Sequence, residues 1–80
     1  MSQEIVYDRV CNFYGSENVE TISYSIESSV LLVRFTTSSE YRYYDVPVSV
    51  WSDVVSGHSV GKAFNKFVSR RDFRYERIDI

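Results

Sequence analysis

The sequence predicts an α+β domain: a three-stranded antiparallel meander followed by two short helices packed on one sheet face. Three observations predict it. Ile22, Tyr24 and Ile26 alternate with Thr21, Ser23, Ser25 and Glu27, the period of two that a strand needs. Two serine-rich turns then separate further β-rich runs by only a few residues, and short turns force antiparallel neighbours. After the single proline, apolar residues recur at helical spacing.

The elements follow in order. The first 15 residues form an extension packing on the domain. Within it, Ile5, Val6, Tyr7, Val10, Phe13 and Tyr14 suit either a short helix or a strand; the i, i+3, i+4 spacing of Val6, Val10, Phe13 and Tyr14 tips the reading to a helical turn before Gly15-Ser16 breaks the pattern. The domain proper, residues 16–80, opens with the alternating strand. Ser28-Ser29 fits a tight turn. Val30 to Thr36 is nearly continuous in apolar and β-branched character, so it reads as the central strand. Thr37-Ser38-Ser39 is a second turn, and Glu40 to Val46 a third strand rich in tyrosine.

Pro47 ends the sheet because it cannot donate to the ladder. Val50, Trp51, Val54 and Val55 mark a first helix, stopped at Ser56-Gly57. Ser59 is placed to cap a second helix, whose apolar stripe is Val60, Ala63, Phe64, Phe67 and Val68. From Arg70 onward, Phe73 and Tyr75 alternate with Arg74 and Glu76, which allows one added C-terminal strand. The second sheet face is expected to be covered by the N-terminal segment or the tail, or to lie open for binding.

Eighty residues hold one domain. The lone Cys11 makes no internal disulfide, the start has no signal-peptide pattern, and no apolar run approaches the roughly 20 residues of a bilayer span. A cytoplasmic protein without membrane contact is the expectation. Net charge is −2, unlike a strongly basic nucleic-acid binder. Its distribution is more informative. Residues 1–59 carry three arginines against eight carboxylates, a net −5; residues 60–80 carry six cations against three carboxylates, a net +3. A basic C-terminal quarter on an acidic body is an electrostatic patch.

The run from Ser16 to Ile78 resembles the KTSC domain, found at the C-terminus of some lysyl-tRNA synthetases and as stand-alone bacterial proteins. The resemblance rests on Asn18-Val19 with Ile22-Ser23-Tyr24, on Leu32-Val33-Arg34-Phe35, and on Tyr41-Arg42-Tyr43 followed by Val46-Pro47. It continues in Ser59-Val60-Gly61-Lys62-Ala63-Phe64-Asn65 and in Phe73-Arg74-Tyr75 with Arg77-Ile78. Ala63 stands where the family often has an aromatic residue, and the turn at Thr37-Ser38-Ser39 lacks the family's common glycine. The resemblance implies a fold, no catalytic activity, and a suggested role in RNA binding.

Two constellations fit a binding module. The tyrosines Tyr41 and Tyr43 share one face of the third strand, where rings can stack on unpaired bases, with Arg42 and the cations Lys62, Lys66, Arg70, Arg71 and Arg74 for phosphates and Asn65 for a base edge. A helical Asn65 is better placed to bond the backbone of a neighbouring loop than a base edge. Ser59, Gly61 and Lys62 open the second helix, whose free N–H groups attract phosphate, although the P-loop spacing is absent. No metal-ligand spacing occurs, His58 and Cys11 lie far apart, and no cofactor is expected. The expected function is therefore non-catalytic RNA or single-stranded nucleic-acid binding. The alternative is a small protein-interaction or inhibitory module, of the kind phages encode, that sequesters a host protein or a nucleotide.

Overall fold

A computed structural model describes residues 5–13, 17–57 and 59–78. Five strands lie in sequence order: β1 (Arg9–Asn12), β2 (Val19–Ser25), β3 (Val30–Phe35), β4 (Glu40–Tyr43) and β5 (Tyr75–Ile78). All neighbours are antiparallel. Between β4 and β5 run α1 (Val48–Val55), α2 (Val60–Phe64) and a π-helical turn, Asn65–Ser69, that continues α2 directly. The predicted meander is β2–β3–β4, and the C-terminal strand is present as β5.

The helical turn expected from Val6, Val10 and Phe13 is replaced by β1, which pairs with β2 from Arg9↔Tyr24 to Asn12↔Thr21; Tyr14 lies outside the described residues. A single turn is a costly helix nucleus, whereas the open edge of β2 offers ladder bonds at once. β2 is accordingly no edge strand; β1 and β5 are.

The register sorts side chains into two faces. Ile22, Tyr24, Leu31, Val33 and Tyr43 point to the face that α1 and α2 cover, and all are buried. Val50, Trp51, Val54, Val60, Phe64 and Val68 meet them from the helices. Trp51 stacks on Tyr24 at 6.1 Å between ring centroids. Val19 joins this core although it is three residues from Ile22, because the pairing shifts between Val19↔Phe35 and Thr21↔Arg34. The extra residue, Glu20, is a bulge that lets both Val19 and Ile22 face inward.

The simple alternation read from β2 fails at its end. Ile26 lies past the strand and is exposed, while Ser23 and Ser25 of the expected wet face are buried. Ser25 Oγ accepts the Ser28 N–H of the turn at 3.3 Å. Ser23 lies under a polar bridge: the Arg42 Nε–H on β4 donates to the Tyr7 hydroxyl at 3.2 Å. These two side chains meet across the intervening strands, so the N-terminal segment partly roofs the second face.

Pro47 is the N-cap of α1, and Ser59 Oγ accepts the Lys62 N–H as the cap of α2. Gly57 lets the two helices close up, since a Cβ there would sit 3.2 Å from the Ala63 Cβ.

Candidate nucleic-acid interface

The tyrosine ladder exists, but the helices lie on it. Tyr43 is only 8 % exposed. Its ring packs edge-on against Phe64 of α2 at 5.7 Å and tilts against Tyr75 of β5 at 5.5 Å. Burial first, then the neighbouring Tyr75 and Tyr41 hydroxyls, push its phenol up to about 12. Tyr41 is half-buried between Phe35 at 5.6 Å and Tyr75 at 6.1 Å. The expectation that Tyr41 and Tyr43 form an open stacking platform is thus corrected: Tyr43 is core and Tyr41 its rim. Their alternation with Arg42 and Tyr44 put them on the face that the apolar helices needed to bury.

Arg42 points to the opposite face and is half-buried. Hydrogen bonds that its guanidinium donates, to Tyr44 first and also to Tyr7, raise its pKa further above the ordinary arginine value, against the lowering effect of desolvation. Glu76 lies 3.8 Å from its Nη1. Its donors are therefore largely spent inside the fold. Arg74 lies flat on Tyr44, 4.7 Å from the ring centroid.

The remaining cations gather on one segment. Lys62, Lys66 and Arg70 follow one another at four-residue spacing along α2 and the π turn, with Arg71 next to the last, and all four are exposed. None of them is in an ion pair among the described residues. The Lys66 ammonium rests 5.3 Å from the Phe67 ring centroid.

The expected phosphate site at Ser59, Gly61 and Lys62 does not converge. The α2 segment has five residues, and the Ser59 hydroxyl is occupied as the cap. Gly61 faces the Asn18 amide, whose Nδ2 would lie 3.5 Å from a Cβ at that position. Lys62 projects away from this contact, into solvent. His58 lies outside the described residues.

A groove that the sequence did not single out lies beside Gly61, with a volume of about 500 Å³. Gly61, Asn65 and Ser69 form its helical wall. Residues 17–18 and 36–37 form the facing wall, and Val19, Phe35 and Phe64 its apolar lining. The facing wall is zipped together: the Thr36 N–H donates to the Asn18 carbonyl at 2.9 Å and the Thr36 hydroxyl to the Glu17 carbonyl at 3.0 Å. Asn65 lines this space; its side chain does not bond a loop backbone and makes no hydrogen bond among the described residues. The groove had one legible signal. Pairing Val19 with Phe35 in a β2–β3 hairpin brings the residues just outside both ends together.

The sequence profile of the KTSC domain matches residues 15–73. The chain belongs to the KTSC family. The match omits β1 and β5, the two edge strands. A KTSC domain protein from Yersinia pestis, solved by crystallography, superposes with a TM-score of 0.77 at 22 % identity, over 89 % of this chain and 97 % of that one. A protein of Stutzerimonas stutzeri is 33 % identical over 64 residues, 80 % of this chain and 90 % of its own length. A lysine–tRNA ligase of Nostoc punctiforme is 33 % identical over 60 residues, 75 % of this chain but only 10 % of the ligase. Segments similar to this chain thus make up most of one relative and a minor part of a lysine–tRNA ligase. No helix among the described residues is long and apolar enough to cross a membrane.

Proposed function

We propose that this KTSC protein is a non-catalytic module that binds single-stranded RNA through the cationic row Lys62, Lys66 and Arg70, extended by Arg71; Arg74, stacked on Tyr44 across the sheet, lies outside the row. The observation that carries the reading is the exposure of these four without an ion pair among the described residues, on a body that is otherwise acidic. Charges that stabilise the fold are usually paired or spent, as Arg42 is; charges left in a row on one helix face are free to meet phosphates. The likeness to a segment of a lysine–tRNA ligase, an enzyme named for an RNA substrate, fits the same reading.

Three or four phosphate contacts on a single strand give a log–log salt slope of about −2 to −3. Fluorescence anisotropy with a mixed-sequence single-stranded RNA, from low to moderate salt, measures this. Lys66→Glu is expected to weaken binding to every sequence and to flatten the slope by about 0.7. A wild-type protein that shows no binding at low salt sinks the reading.

A protein partner is the second reading. It is favoured by Tyr75, 61 % exposed on the open edge strand β5. A stoichiometric partner recovered from nuclease-treated lysate and lost on Tyr75→Ala would select it.

A further inference from the structure

We propose that the groove beside Gly61, Asn65 and Ser69 receives one unstacked nucleobase, with an amino-bearing base preferred over uracil. The proposal deepens the RNA-binding reading and rests on it for the identity of the ligand.

The chemistry of the lining selects the ligand class. About 500 Å³ lies within the roughly 300–1,000 Å³ range of small-molecule clefts. Val19, Phe35 and Phe64 give it apolar surface, and the edge-on pair Phe35–Phe64, 5.6 Å apart, is held by the core. Carboxamides and hydroxyls stand around that surface: Asn18, Asn65, Ser69 and Thr37. A flat ligand with apolar faces and a polar edge matches this division. Among the described residues, Glu17 is the one ionisable side chain lining the groove, and neither Lys nor Arg lines it. A phosphate is therefore rejected from the groove itself.

The same helix supplies the phosphate contacts one residue further on. Lys62 follows Gly61, Lys66 follows Asn65, and Arg70 follows Ser69. A row of groove residues thus runs parallel to a row of cations. The π turn keeps the rows straight. An α-helix turns about 100° per residue, so positions four apart drift by about 40° at each step. A π turn, closed here by Arg70 N–H to Asn65 carbonyl at 3.1 Å, holds more residues per turn and drifts back the other way. Gly61, Asn65 and Ser69 therefore face one groove although they span nine residues. A nucleotide laid across the rows has its base in the groove and its phosphate on a cation.

The edge preference follows from Glu17. An ionised carboxylate only accepts, while the two asparagine amides both donate and accept. Adenine, cytosine and guanine offer an exocyclic amino group to that acceptor; uracil has no amino group, and its single ring N3–H sits between two carbonyls that a carboxylate repels.

Two measurements test the groove and the RNA reading separately. In the first, isotope-labelled protein is titrated with adenosine, cytidine and uridine to about 10 mM, a range that reports millimolar dissociation constants. The expected result is shifts of the Asn18 and Asn65 side-chain amides and of Ser69, with uridine at least about threefold weaker. Asn65→Leu, an exposed position, should weaken adenosine and cytidine about tenfold with the remaining spectrum unchanged. Shifts absent from the groove, or a uridine preference, overturn the proposal. In the second, an RNA strand is compared with the same strand made abasic. Equal affinity for the two overturns the base pocket and leaves cationic RNA binding intact. Nucleoside shifts in the groove without RNA binding keep the pocket and overturn the RNA reading.

Discussion

Replacing Tyr43 separates a core tyrosine from a stacking tyrosine. The ring is packed against Phe64 and Tyr75. An aromatic side chain removes roughly 150–250 Å² from water, about 4–6 kcal/mol at 25 cal/mol per Å² before compensation. Buried Phe→Ala changes cost about 3–5 kcal/mol, so we expect about 4 kcal/mol for Tyr43→Ala. A domain of this length holds only about 4–12 kcal/mol in all, so the variant will be marginal or partly unfolded in water. Tyr43→Phe behaves differently. The hydroxyl makes no protein hydrogen bond among the described residues, so its loss should change stability by no more than about 0.5 kcal/mol at neutral pH. The difference emerges in alkali. Folding raises the Tyr43 phenol from 10.0 to about 12, which favours the protonated form in the folded state. That stabilisation is complete below pH 10 and is lost as pH rises through 12; two units at 1.36 kcal/mol each make it about 2–3 kcal/mol. Urea melts of wild type and Tyr43→Phe between pH 9 and 12 should therefore diverge, wild type falling further. A Tyr43→Ala protein with wild-type stability and no RNA binding would refute the reasoning, because the ring would then be serving a ligand.

Other substitutions probe the frame of the site. Ser38 holds φ 72° in the β3–β4 turn, a left-handed conformation that costs a non-glycine residue about 1–2 kcal/mol. Ser38→Gly should raise the urea midpoint, by a net of about 0.5–1 kcal/mol after the glycine's extra unfolded-state entropy is counted. Gly57→Ala puts a Cβ 3.2 Å from Ala63 Cβ, tighter than ordinary contact, and should lower stability by about 1 kcal/mol through displacement of α2. Arg42→Ala should release the N-terminal segment that Tyr7 ties down. Hydrogen exchange at the Ile26 amide, which donates to Asp8 Oδ1 at 3.0 Å, is expected to speed up.

The order and type of the central elements were written in the chain. Period-two runs, short serine turns, one proline and an apolar stripe at helical spacing are local signals, and each marks its element, although β2 and β4 end before their patterns do and the second stripe runs on into a π turn. The cationic row was also legible, since Lys62, Lys66 and Arg70 share a spacing that any helix turns into one face. Local pattern could not say which face of the third strand the helices would cover. Tyr41 and Tyr43 alternate with Arg42 and Tyr44, and both pairs carry rings and hydroxyls. Only packing against Phe64 chose the first pair for the core and left Arg42 and Tyr44 on the other side. Nor could it place residues 9–12, whose spacing suited a helix; the vacant edge of β2, a partner distant in sequence, made them a strand. The groove depended on tertiary structure for the same reason. Its walls come from residues 17–18, 36–37 and 61–69, and such separated segments meet only after the β2–β3 register and the helix docking are both fixed.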